Sequence, residues 1–198
     1  AGRSAALSGS AFWGFDIAGF AGPLPSPELY LRATQLACFC PVMQWHSEPD
    51  GGQFRELMPG AEGNNARSPW NMERAFGLPG FAQEVLYWHR LREALLPYLL
   101  ETARDCAAQG RPMLRPLVYY WPEDEAALDC EDEFLLGHDL LVAPLLDEGA
   151  RGRSVYLPRG QWRDIFTGEL HEGPKVLDTG ETGRIAVFTR GLEIELPG

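Results

Sequence analysis

Two short apolar runs, Ala11-Phe12-Trp13-Gly14-Phe15 closing on Asp16 and Pro41-Val42-Met43-Gln44-Trp45 closing on His46, decide how the first half of the chain is read. Runs of this length with little polar alternation fit strands buried on both faces, as in a parallel sheet. Between them, Gly19, Gly22, Pro23 and Pro25 make a loop. Ser26-Pro27-Glu28 then supplies an N-cap, a proline at the first helical position and an acid in the first turn, which together start a helix. Leu29, Ala33, Leu36, Ala37 and Cys40 follow at i, i+4, i+7, i+8 and i+11, one apolar stripe, and Pro41 closes the helix.

Upstream of the first run, Ala1 to Leu7 resembles the tail of a helix, broken at Ser8-Gly9-Ser10. Downstream of the second, Ser47 to Pro69 reads as a polar, Gly-rich and Asn-rich loop, of a length that in compact domains is usually functional. Its acids Glu48, Asp50, Glu56 and Glu62 are read as solvated. A long helix is predicted from about Gly80 to Gln109, with Phe81, Val85, Trp88, Leu95, Leu99 and Ala103 on one side. Pro97 should kink it, and Gly110 with Pro112 should end it. Strand, helix, strand, long loop and long helix make two consecutive β/α units of a parallel α/β fold. Two strands cannot make a stable sheet alone, so the expectation is that an upstream part of the polypeptide is missing here.

From Arg111 the texture changes. Leu114 to Tyr120, Leu140 to Ala143, Ser154 to Leu157, Gln161 to Ile165 and Ile185 to Thr189 are β-prone runs separated by turn residues, the pattern of an antiparallel β-sandwich. The boundary is placed near Gly110, giving residues 1–110 and 111–198.

Composition mainly excludes. The chain has 28 acidic against 17 basic residues, a formal charge of -11, and such a field repels phosphate backbones and anionic lipid, so no nucleic-acid partner is expected. No apolar run of about 18 residues is present, hence no membrane span, and no basic stretch followed by an apolar run and cleavage site opens the sequence. Cys38, Cys40, Cys106 and Cys130 lack paired metal-site spacing and are read as reduced, packing thiols, which suits a reducing, cytoplasmic location. Nothing implies a cofactor or a metal. Glu123-Asp124-Glu125, after Pro122, most simply begins a short helix, where negative charge is favoured.

Several stretches resemble glycoside hydrolase family 31, the α-glucosidases and α-xylosidases. They are Phe12-Trp13-Gly14-Phe15-Asp16-Ile17-Ala18-Gly19-Phe20, Pro41-Val42-Met43-Gln44-Trp45-His46, Ser68-Pro69-Trp70, Leu95-Leu96-Pro97-Tyr98, Arg115-Pro116-Leu117, Leu135-Leu136-Gly137, Leu140-Leu141-Val142-Ala143-Pro144, Val155-Tyr156-Leu157-Pro158 and Val187-Phe188-Thr189-Arg190-Gly191. They keep the family's order across nearly the whole chain. The resemblance implies a fold of α/β plus all-β class: the last two β/α units of a (β/α)₈ TIM barrel followed by the antiparallel β-sandwich. Asp16 and His46 then stand at the C-terminal ends of barrel strands, where such barrels build their sites.

The activity implied is that of a retaining, exo-acting α-glycosidase hydrolysing terminal α-linked glucose or xylose. Such enzymes use a nucleophilic carboxylate and an acid/base carboxylate about 5 to 5.5 Å apart. By the family pattern both lie upstream of Ala1, so no catalytic residue is expected in this chain, and the isolated chain is expected to be inactive. What it supplies is sugar-binding wall: Asp16 and His46 as hydrogen-bonding groups and Phe20 as an apolar contact. The partners implied are an α-glucoside or α-xyloside and the upstream part of the same polypeptide.

Two positions depart from the pattern. Gln44 stands where many members have Arg, which removes a fixed positive charge and a bidentate donor, and Ala18 stands where many have Gly. Apart from the resemblance, Asp16 reads as a turn-stabilising Asp and His46 as a satisfied core histidine. Trp70 is read as packing its loop. Arg67 reads equally as a partner for a carboxylate near the site and as an exposed or loop-bracing arginine. His89, His138 and His171 are read as structural or solvated. The alternative function is a non-catalytic carbohydrate-binding or interaction module based on the β-sandwich.

Overall fold

The structure, a computed structural model, describes residues 1–47 and 67–198. Most of the loop expected between Ser47 and Pro69, with Glu48, Asp50, Glu56 and Glu62, lies outside the described residues.

The two decisive runs lie side by side and parallel. The Val42 amide donates to the Trp13 carbonyl at 3.0 Å and the Ile17 amide to the Gln44 carbonyl at 3.2 Å, and Asp16 and Gln44 form a parallel bridge. Gly14 permits the approach, because a Cβ there would stand 2.7 Å from both Cβ and O of Val42. The pairing stops at this single bridge, so the two expected strands are extended segments rather than a ladder. On its other side the first run touches the second half of the chain, where Ala11 O accepts from the Met113 amide at 3.2 Å.

Helix α1 (Gly2–Leu7) precedes the first run, and α2 (Pro27–Cys38) joins the two, capped by Ser26 Oγ, which accepts from the Leu29 amide at 3.1 Å. The buried face of α2 takes in most of the predicted stripe, with Ala37 and Cys40 buried and Ala33 and Leu36 half-buried against the cores, and is wider than it. Leu29 is 54% exposed, whereas Tyr30, Thr34, Ala37 and Cys38, at i, i+4, i+7 and i+8, are buried. The burial extends to the positions beside the stripe because their polar members are satisfied. Tyr30 donates to Arg67 O at 2.6 Å, Thr34 to Tyr30 O at 2.9 Å, and the neighbouring buried Gln35 accepts from the Ile185 amide at 3.0 Å. Apolar counting alone cannot see this.

A helix absent from the sequence reading, α3 (Pro69–Phe76), repeats the Ser-Pro start at Ser68-Pro69 and ends on Gly77 at φ 63°. The predicted long helix is two, α4 (Phe81–Ala94) and α5 (Leu96–Gln109), divided at Leu95. Pro97 has no amide to give to the preceding turn, so the break falls where the ring requires it. Gly110, at φ 65°, caps α5.

In the second half, β1 (Leu114–Pro116), β2 (Phe134–Leu136), β3 (Leu140–Ala143), β4 (Ser154–Asp164), β5 (Leu170–Asp178) and β6 (Ala186–Thr189) form one antiparallel sheet of order β1-β2-β3-β6-β4-β5. The strand predicted for Leu114 to Tyr120 is shorter, passing after Pro116 into a 3₁₀ turn at Leu117–Tyr119. The runs at Ser154 and Gln161 are one strand with an irregularity between Leu157 and Gly160. A short helix, α6 (Glu125–Asp129), starts at the acidic cluster, its cap Asp124 accepting from the Ala127 amide at 3.2 Å.

Alternate residues of β2, β3 and β6 enter two different cores. Phe134, Leu136, Leu140, Val142 and Val187 pack with Cys38, Phe39, Trp88, Leu91 and Leu95 of the helical half. Leu135, Leu141, Ala186 and Phe188 pack with Val155, Leu157 and Trp162 of β4. The layers are therefore helices, a doubly buried sheet portion, and the β4-β5 hairpin folded over it, as expected of a sandwich. Double burial explains why these strands are wholly apolar, and the first core runs across the predicted boundary at Gly110.

Candidate sugar-binding site

The site is built at the ends of the two parallel segments. Successive side chains of an extended chain alternate, so Gln44 and His46 share a face, and both reach Asp16. Gln44 Nε2 donates to Asp16 Oδ1 at 2.8 Å, and His46 Nδ1 stands 3.6 Å from the same oxygen. Phe20 meets His46 edge-on, with ring centroids 4.9 Å apart. The three residues expected to bind sugar, Asp16, Phe20 and His46, are thus brought together. Their side chains stay open to solvent, 28% for Asp16 and 66% for His46.

The loop between Asp16 and α2 is shaped by left-handed backbone at Ala18 (φ 59°), Gly19 (φ 88°) and Gly22 (φ 88°). Ala18 thus occupies a conformation that glycine adopts more readily. Arg67 braces the loop. It is 3% exposed, and its guanidinium donates to the carbonyls of Ala18, Gly19, Gly22 and Pro23, the last three at 3.1, 3.0 and 3.1 Å. Arg92 does the same for the second segment, donating to the carbonyls of Cys38, Cys40 and Pro41 at 2.9, 2.6 and 2.8 Å.

The opposite face of the second segment is aromatic. Trp45 packs edge-on against His89 at 4.6 Å between centroids and against Trp70 at 6.4 Å. Burial pushes the His89 imidazole below its ordinary value. Trp70 packs one side against Trp45 and leaves about half of its surface, 53%, exposed. The sequence reading treated Gln44 only as a departure from pattern. Its spacing of two from His46 was the signal that it belongs to the same face.

Among the described residues, one group of potential metal ligands occurs, Cys130, Asp132 and Glu133. Arg153 already answers its charge, 2.7 Å from Asp132 Oδ1 and 3.4 Å from Glu133 Oε1. The four cysteines are free, and burial pushes the thiols of Cys38 and Cys40 up to about 12, which keeps them protonated. No helix among the described residues is long and apolar enough to cross a membrane.

A carboxylate acceptor, an imidazole and an aromatic edge converging at the ends of parallel segments suit a polyhydroxylated ring, whose hydroxyls are bonded and whose C–H face is covered. Comparison with known proteins bears on this. The family 31 glycosyl hydrolase TIM-barrel domain matches residues 1–102 and the family 31 C-terminal domain matches residues 110–194. The chain is 34% identical over 197 residues to an isomaltosyltransferase of Sporosarcina globispora, covering 100% of this chain and 16% of that protein. It is 39% identical over 169 residues to a 1,3-α-isomaltosidase of Kribbella flavida, covering 85% and 22%. It superposes with a TM-score of 0.85 and 35% identity on a cycloalternan-degrading enzyme from Trueperella pyogenes in complex with cycloalternan, over 96% of this chain and 25% of that one. The chain thus spans about a fifth of the curated relatives' length, and over that span it belongs to glycoside hydrolase family 31.

Proposed function

We propose that this chain forms part of a retaining, exo-acting α-glycosidase that releases terminal α-linked glucose or xylose, and that it contributes one wall of the sugar pocket through Asp16, Phe20 and His46. The observation that carries the reading is the convergence of these three side chains, with Gln44, on one point. The nucleophile and the acid/base are assigned to the upstream part of the same polypeptide. In the full protein, the two parallel segments are the last two strands of a (β/α)₈ barrel and α4-α5 its last helix, with the sandwich beginning after Gly110. The parallel bridge and the match of residues 1–102 to a barrel domain support this.

Relatives named for isomaltosyl transfer and for isomaltoside hydrolysis support an α-glucoside substrate. The reading of the sandwich as a free-standing carbohydrate-binding module is disfavoured, because among the exposed large apolar residues described after Arg111 the sole aromatic is Tyr119. Sugar platforms need exposed rings.

The test is hydrolysis of an aryl α-glucoside and an aryl α-xyloside, with the anomeric form of the released sugar followed by NMR. The complete polypeptide should turn over one of them with retention, and the 198-residue chain alone should turn over neither. Inversion, or activity in the isolated chain, sinks the reading.

A further inference from the structure

We propose that Arg67 is a positioning residue of the sugar pocket, holding the Ala18–Pro23 loop where Phe20 lies against His46 beside Asp16. This rests on the reading of those three residues as the pocket wall.

Beyond the turn closed by the Gly19 amide on Asp16 O, the loop draws its support from Arg67. Three of its residues are left-handed, one of them an alanine, so its carbonyls turn away from ordinary local partners and need a donor. Arg67 supplies it from the other β/α unit, its buried guanidinium collecting the carbonyls of Ala18, Gly19, Gly22 and Pro23. A planar fork with five donors spans such a set, and a lysine ammonium does not. Contact is close, since a Cβ at Gly19 would stand 3.1 Å from Arg67 Nη1. The arginine is itself fixed, because Tyr30 of the buried face of α2 donates to its carbonyl at 2.6 Å, and α3 starts two residues later at Pro69. The chain from Arg67 through the loop to Phe20 thus ends in a T-shaped contact with the His46 ring. Arg67 acts through the loop and has no role in bond breaking.

The experiment compares Arg67→Lys, Tyr30→Phe and Phe20→Ala with the parent in the complete polypeptide, by amide hydrogen exchange and by steady-state kinetics on an aryl α-glucoside. Arg67→Lys should speed exchange of the Ile17–Leu24 amides at least tenfold while α2 and the Pro41–Trp45 segment keep theirs. It should lower kcat/KM about 10- to 100-fold, chiefly through KM, as expected for a misplaced wall. Tyr30→Phe should move both readouts the same way by less, and it decides the matter if Arg67→Lys does not fold. Unchanged loop exchange overturns the proposal, as does a loosened loop with unchanged KM when Phe20→Ala does raise KM. If Phe20→Ala leaves the kinetics untouched, the pocket reading fails, and a selective rise in loop exchange still upholds the role of Arg67 in fixing the loop.

Discussion

Gln44 and Asp16 are joined twice, by the backbone bridge that pairs their segments and by a side-chain hydrogen bond of 2.8 Å. One Asp16 oxygen is therefore held by a neutral amide, a donor without a charge. Replacing Gln44 with Ala removes that donor. A hydrogen bond to a charged group is worth about 1.5–3 kcal/mol, so kcat/KM of the complete enzyme on an α-glucoside should fall roughly 10- to 100-fold. Gln44→Arg should bind the carboxylate more firmly, and its effect on the preferred sugar shows whether the amide sets specificity.

His46 is more open than Asp16, and Phe20 is its ring partner. His46→Ala should raise KM and lower kcat/KM on the terminal sugar by an amount equivalent to about 1–3 kcal/mol, the range for losing a contact that sugar binding buries. Wild-type kinetics in this variant removes His46 from the pocket.

Ala18 stands at φ 59°, where a Cβ costs on the order of 1 kcal/mol relative to glycine. Ala18→Gly should relieve that strain and strengthen the turn closed by the Gly19 amide on Asp16 O at 2.9 Å. Exchange of the Gly19 amide should slow about fivefold, the factor that 1 kcal/mol represents. Faster exchange would mean that the added backbone freedom outweighs the relief.

Much of this architecture was legible in residue order. Ser26-Pro27 and Gly110 mark helix ends because capping is local chemistry, and Pro97 marks the division between α4 and α5 for the same reason. Strand pairing and helix facing were not legible to the same degree, because they depend on partners remote in sequence. Leu170–Asp178 has a mixed, half-exposed pattern and a Gly173-Pro174 pair, and such a sequence becomes a strand only at a sheet edge beside β4. The buried face of α2 is set by Arg67 and Ile185, which lie 37 and 150 residues from Tyr30 and Gln35. At the site, Asp16, Phe20 and His46 were named through the family pattern. The arginine that braces their loop is not legible in the sequence, since nothing local to Arg67 points to Ala18.

That arginine belongs to a wider habit. Of 17 basic residues only Lys175 is a lysine, and Arg32, Arg67, Arg92, Arg115 and Arg153 all donate to backbone carbonyls. A guanidinium stays charged when desolvated and its fork matches several carbonyls at once. Arg32 on α2 reaches the carbonyls of Asp147 and Ala150, so loops of the second half are tied to the first in the same way. Arg32→Lys should therefore loosen the 147–150 turn, seen as faster exchange of the Gly149 and Ala150 amides, with little change in the pocket loop.

Glu133 gives the protein a pH dependence of unusual sign. Only 2% exposed, it accepts from the Tyr156 amide at 2.8 Å and faces Arg153, yet burial outweighs both and pushes its carboxyl up to about 7 from the usual 4.5. Below about pH 4.5 this group is protonated in folded and unfolded chains alike, and its burial then carries no ionisation cost. Between about 4.5 and 7 the unfolded chain ionises while the folded one keeps its proton, so the folded state binds more protons and its stability falls as pH rises. Above about 7 both are ionised and the loss, on the order of 3 kcal/mol, is complete. Glu133→Gln keeps an oxygen for the Tyr156 amide and cannot ionise. Its thermal midpoint should exceed that of the parent at pH 8 and approach it at pH 5. A difference that is the same at both values would show that the carboxyl is already ionised in the folded protein at pH 5, with Arg153 rather than burial deciding its state.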